Sequence, residues 1–279
     1  MEFEEWQNYV NIVASCDYPI PPDFIKNYND WHCRSIVGRM LFVLKDIEGA
    51  MRVLSTVRDV EVDMDHNPEY GLSDPEHKCL CFRDLGEIVW MLSGNAQAAL
   101  YYFEEAWKIC QEYKHPMHSA KRGGIWARRL EIKRDSDNLQ AALDECLVKM
   151  EEQDKEAGIN QFLFFGNKFL ADTFAANGNF AKACSYLAEG FKYYPLSEAG
   201  VKDIAETEAI ENLEERYKKY LRCASLQYLP WEDFDVPTLE EVRDKQYQSY
   251  LKRKAAEAAG DATAQQSMRF KVEDYAEEE

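Results

Sequence analysis

Four alanines recur at equivalent places in four similar phrases of this 279-residue chain, and they restrict its fold more than any other feature. The phrases are DIEGAMRVLSTV, NAQAALYYFEEAW, NLQAALDECLVKM and NFAKACSYLAEGF; the alanines are Ala50, Ala99, Ala142 and Ala183. Four residues after each stand Leu54, Phe103, Cys146 and Leu187, and seven after stand Val57, Ala106, Lys149 and Gly190. Offsets of zero, four and seven share one face of an α-helix. A small side chain on that face lets a neighbouring helix approach closely, and the bulkier one a turn later fills the space beside it. Gly94 and Gly178 stand five residues before their alanines, where a helix end in left-handed backbone suits Gly. Lys45 and Asp137 hold that place in the other two phrases. The pattern predicts helical hairpins.

Helical periodicity extends over most of the chain, with helices expected at 3–14, 23–44, 47–60, 76–93, 96–113, 119–134, 138–152, 157–177, 180–193, 200–228 and 238–259. Strand alternation bounded by turn signals is absent. Pro22 suits a first helical turn, and Thr238 followed by Glu241 reads as a capping box. A hydrophobic fraction of 46% supplies a core. From Ala255 onward apolar periodicity fades into an acidic end, read as a frayed helix and mobile tail.

These phrases resemble the tetratricopeptide repeat. In the fourth, Leu170-Ala171 resembles the Leu-Gly/Ala pair of the motif's first helix and Phe174 its aromatic. Gly178 resembles the turn Gly, Ala183 the recurrent Ala, Leu187 the bulky core position and Pro195 the closing Pro. The first phrase matches through Val37-Gly38, Leu41 and Ala50. The second has Gly86-Glu87 where Leu-Gly would stand, and the third Arg129-Leu130. Alanine spacings of 49, 43 and 41 residues exceed the usual period of about 34, implying longer helices and inserted loops. The resemblance implies an all-α fold, a right-handed superhelix of antiparallel helical pairs. The expected organisation is a capping helix and linker at 1–30, repeats at 31–195, capping helices at 196–255 and the acidic tail at 256–279.

In that family the first helix of each pair lines a concave groove. Carried over residue by residue, the resemblance implies a groove of His32, Ser35, Arg39 and Phe42; Asp84, Ile88 and Met91; Ala127, Glu131 and Arg134; and Phe165, Lys168 and Asp172. Lys168 fits one subfamily's Lys/Asn grip on a ligand carboxylate, but Asp172 replaces the Asn. The mixed lining suits an extended or helical peptide.

Net charge is −18, which disfavours nucleic acid and anionic membrane as partners. Against that background, 114–134 is basic, with Lys114, Lys121, Arg122, Arg128, Arg129, Lys133 and Arg134. Such an island either pairs with the chain's own acidic helices or seats an acidic or phosphorylated segment, which Arg grips bidentately. Eight cysteines lack zinc-ligand spacing and read as small buried hydrophobes. Asp63, Asp65, Asn67 and Asp74 have the spacing of a calcium loop, yet Pro68 stands where its turn needs Gly; a polar connection is expected. His115 and His118 lack partners at ligand spacing.

No nucleophile elbow, phosphate loop or zinc-protease motif is present. Neither a signal peptide nor a membrane span is expected, and thiol usage points to the cytoplasm. The expectation is a non-catalytic protein- or peptide-binding adaptor, without metal or cofactor. The alternatives are a signalling-peptide receptor of bacterial type without its own DNA-binding domain, an enzyme on a helical scaffold, or self-association through the end of the stack.

Overall fold

The protein is all-α. A computed structural model describes residues 1–15, 22–27, 29–66, 72–113, 119–136, 138–153, 160–193, 204–227 and 236–258. Among the described residues there are eleven α-helices and no strand: α1 (Phe3–Ala14), α2 (Trp31–Val43), α3 (Ile47–Ser55), α4 (Asp74–Ser93), α5 (Ala96–Glu112), α6 (Ser119–Asp135), α7 (Leu139–Glu151), α8 (Gln161–Ala176), α9 (Phe180–Phe191), α10 (Ile204–Gln227) and α11 (Leu239–Ala258). None of them is long and apolar enough to cross a membrane. The chain divides into two compact units, Met1–Leu139 and Gln140–Glu279.

In the first unit α2 packs on α3 and α4 on α5, each pair joined by a tight turn, and α6 packs on α5. Ala50 and Ala99 are fully buried, as are Leu54 and Phe103 one turn later. The small residues of the partner helices explain the fit. A Cβ added at Gly38 would come within 2.7 Å of Leu54, and one added at Gly86 within 2.6 Å of Phe103. The second pair therefore uses Leu85-Gly86, one residue earlier than the sequence alignment places it. One core joins Trp6, Val10 and Val13 of α1 to Val37, Leu41, Leu54 and Leu85. A second gathers Phe82, Phe103, Ala106, Ile125 and Ile132. The Trp6 indole N–H donates to the Phe24 carbonyl at 3.1 Å, tying α1 to a short 3₁₀ turn, Pro22–Ile25.

In the second unit α8 and α9 form a hairpin, and α10 and α11 pack on α9. Ala183 is fully buried, and a Cβ at Gly190 would lie 3.1 Å from that of Asn167, so α8 and α9 run close. The α7 face carrying Ala142 and Cys146 is also buried, with the Cys146 thiol 3.7 Å from the Gly166 carbonyl. Leu163, Phe164, Leu187, Phe191, Leu213, Tyr217 and Val242 form the core, and the Tyr217 hydroxyl donates to the Pro237 carbonyl.

Several boundaries differ from expectation. The helix expected at 23–44 is broken, because the Asp30 carboxylate accepts from the His32 N–H at 2.8 Å and starts α2 afresh. Helix α3 stops at Ser55; the Thr56 hydroxyl turns back to the Val53 carbonyl, and Lys78 Nζ takes the Val57 and Val60 carbonyls at 2.7 and 2.5 Å. Helix α4 begins at Asp74 because Ser73 and Glu76 form a capping box, and α8 begins at Gln161 under Asn160. The capping box of Thr238 and Glu241 stands as expected. Asp137, Pro195, most of 229–238 and the tail from 259 lie outside the described residues.

The turns of the α2/α3, α4/α5 and α8/α9 hairpins each pass through a left-handed residue; the first and last share one closure, whereas the Gly94 N–H bonds the Trp90 carbonyl at 2.9 Å and the Asn95 N–H the Ser93 hydroxyl at 3.1 Å. Gly94 and Gly178 are left-handed at φ 61° and 77°, and Lys45, without glycine's freedom, is at 68°. N–H groups of Asp46 and Asn179 bond carbonyls five residues back, Leu41 and Phe174, at 2.9 Å each. An added Cβ at Gly178 meets nothing within 4 Å, so backbone strain alone opposes it. Gly178→Ala is therefore expected to cost about 1 kcal/mol, and Lys45→Gly to gain about 0.5–1 kcal/mol, by urea denaturation.

Candidate functional site

On the first unit the exposed edges of α2, α4 and α6 carry a polar ladder. Arg39 Nε donates to Asp84 Oδ2 at 3.3 Å, joining α2 to α4, and Arg83 reaches Asp84 Oδ1 at 2.8 and 2.6 Å. The Asp84 side chain is only 2% exposed, so its charge depends on these two guanidiniums. From α6, Arg128 forks onto Glu87 of α4 at 2.6 and 2.9 Å and donates its third nitrogen to Glu131 at 2.9 Å. Burial opposes the Arg128 charge, but the Glu87 and Glu131 carboxylates outweigh it and hold the guanidinium protonated. Arg134 bonds Asp135 at 2.8 Å. Phe42 lies partly buried at the edge of this surface, and Met91 is 55% exposed.

Four expected groove residues lie inside instead: Asp84, as described above, and Ile88, Ser35 and Ala127. Ile88 has no exposure and belongs to the core, since α4 turns that face toward α2 and α3. Ser35 is buried between the His77 imidazole at 3.3 Å and the Cys81 thiol, which donates to it at 3.1 Å. Burial pushes that thiol up to about 11. Ala127 is 5% exposed.

The basic island is largely taken up by the protein's own acceptors. Arg129 meets Glu104 at 2.8 Å and lies 5.6 Å over the Trp107 ring, and Lys133 reaches Glu104 at 3.5 Å. Arg122 binds the Cys110 and Tyr113 carbonyls where α5 ends. Lys114, His115, His118 and the side chain of Lys121 lie outside the described residues.

A cluster that motif reading missed surrounds the start of α4. His32 stacks on Trp31 at 3.9 Å, and its two ring nitrogens meet Asp74 Oδ1 at 2.9 Å and Asp30 Oδ1 at 3.2 Å. His66 shares Asp74, and His77 stands edge-on to His32 at 5.3 Å. Asp63 folds onto its own backbone, accepting from the Asp65 N–H at 3.0 Å, while Asn67 and Pro68 lie outside the described residues. No group of three or more His, Cys, Asp or Glu among the described residues is arranged to hold a metal ion.

In the second unit Asp172 is a hub. Lys168 Nζ reaches it at 3.1 Å and Arg216 Nη1 at 2.8 and 3.1 Å, and the Tyr220 hydroxyl donates to it at 2.8 Å. Phe165 stands two turns before it on the same face of α8, partly buried at the edge of the core against Phe164. Arg216 and Tyr220 were missed because α10 follows the last recognisable repeat; their four-residue spacing, on one helical face, was the available signal.

Compared with known proteins, the chain matches no family model and no curated protein. It is similar to the crystal structure of BtubC (BKLC) from P. vanneervenii, at 14% identity and a TM-score of 0.47 over 91% of each chain. A likeness at that level assigns neither a family nor a function.

Two outcomes follow from this geometry. Arg128→Ala should cost about 1–2 kcal/mol in urea denaturation, and Arg128→Lys should restore only part of it, because an ammonium cannot fork onto Glu87. Burial raises the Asp74 pKa, but His32, with help from His66, holds it below its ordinary 3.8. A depressed carboxylate stabilises the fold above its unfolded-state pKa and loses that effect as pH falls through the folded-state value. The stability gap between the native chain and Asp74→Asn should therefore be present above the ordinary carboxylate range and close as pH falls below it, through the lowered folded-state pKa.

Proposed function

We propose that the protein is a divergent tetratricopeptide-type adaptor that binds a protein or peptide and catalyses nothing. Within each unit the hairpins form a segment of right-handed superhelix, and the first helix of each pair faces the ligand. The observation that carries this reading is a row of partly buried ion pairs on the first helices of the pairs. Arg39 of α2, Glu87 of α4, Arg128 of α6, and Lys168 and Asp172 of α8 keep between 18% and 27% of their side chains exposed. Paired charges of both signs, with Met91 and Phe165 among them, suit a ligand that presents alternating side chains. An acidic or phosphorylated segment is its expected chemistry where Arg134 and Lys168 stand near the surface.

The test is co-purification from the native cell, followed by affinity measurement with whatever partner is recovered. Arg134→Ala, Met91→Ala and Phe165→Ala should each weaken binding by about 1–3 kcal/mol where they meet the ligand. Lys108→Ala, on an exposed part of α5, should leave it unchanged. Equal recovery by all four variants and the unaltered chain would overturn the reading.

A further inference from the structure

Cys79 and Cys110 hold their sulfurs in contact across the α4/α5 hairpin, 3.2 Å apart. The Cys79 thiol also points at the Ala106 carbonyl, 3.4 Å away and one turn before Cys110. Each residue is 1% exposed, and the two are not bridged. The repeat geometry puts them there. Ala106 is the small residue seven places after Ala99, which leaves room on α5 for the Cys79 side chain. Gly86, seven places after Cys79, admits Phe103 in the same way. A disulfide needs a sulfur separation of about 2.05 Å. The gap is about 1 Å, within reach of side-chain torsion.

We propose that Cys79 and Cys110 form a reversible disulfide that staples α4 to α5 when the protein meets hydrogen peroxide. One thiolate attacks a peroxide oxygen; the O–O bond breaks, leaving a sulfenic acid and, with the thiol's proton, water. The second thiol sulfur then attacks the sulfenic sulfur. The S–O bond breaks, the S–S bond forms, and a second water leaves with the remaining proton. The pair gives up two electrons and the peroxide accepts them. Because both sulfurs are buried, the thiolate forms as this end of the hairpin opens, and the crosslink then fixes the closed arrangement. The stapled α4 is the helix that carries Asp84 and Glu87 to the polar ladder.

The experiment oxidises the folded full-length chain with hydrogen peroxide, blocks remaining thiols and maps linkages by mass spectrometry without reduction. The expected result is a Cys79–Cys110 crosslinked peptide from monomeric protein, lost on treatment with dithiothreitol. The thermal midpoint of the oxidised chain should exceed that of the reduced chain by roughly 5–10 °C. Cys110→Ser should abolish the crosslink and leave Cys79 as sulfenic or sulfinic acid. Full alkylation of both cysteines after complete reaction would overturn the proposal. So would a crosslink that forms only when the chain is oxidised in denaturant, or linkages to other cysteines in its place.

Discussion

Close approach of paired helices is the constraint on which the rest of this structure depends. It is achieved by matching a small residue on one helix to a bulky one on the other. Gly38 receives Leu54, Gly86 receives Phe103, and Gly190 lets α9 settle against Asn167 of α8. The first two contacts leave too little space for an added Cβ and the third only a tight fit, so the position of one helix sets that of its partner. Dispersion and burial act over the whole interface, but this fit fixes the register. With the register fixed, the edges of α2, α4, α6 and α8 keep defined positions, and their polar side chains can reach partners on the next helix.

Those polar side chains are organised by pairing rather than left as a field of loose charge. Asp84 is buried between Arg39 and Arg83, Arg128 bridges Glu87 and Glu131, and Asp172 collects Lys168, Arg216 and Tyr220. In a partly buried setting such pairs contribute modestly to stability and strongly to geometry, because an unpaired member would be costly. Under the proposed adaptor reading, a ligand at these edges would have to offer comparable groups in exchange. That requirement favours selectivity over raw affinity.

Local features were the ones readable from residues alone. The alanine pattern, the left-handed turns at Gly94 and Gly178 and the capping box at Thr238 are set within a few residues of one another, and each stands where spacing put it. The second hairpin slipped by one residue because Gly86 and Glu87 compete on paper, and only the Phe103 ring decides between them. The broken helix before Trp31 and the early start of α4 turned on single capping side chains, Asp30 and Ser73, among other polar residues. The ladder and the Asp172 hub were beyond sequence reasoning in their partners. Long charged side chains choose among several neighbours, and Arg216 and Tyr220 come from a helix with no repeat signature.

The most direct measurement compares two adjacent alanines on α7, in the phrase whose first helix fits the repeat least well. Ala142 is fully buried on the packed face, and Ala141 is exposed beside it. In urea denaturation, Ala142→Leu should lower stability by about 1–3 kcal/mol through overpacking, and Ala141→Leu by less than about 0.5 kcal/mol. Equal effects of the two substitutions would contradict the account.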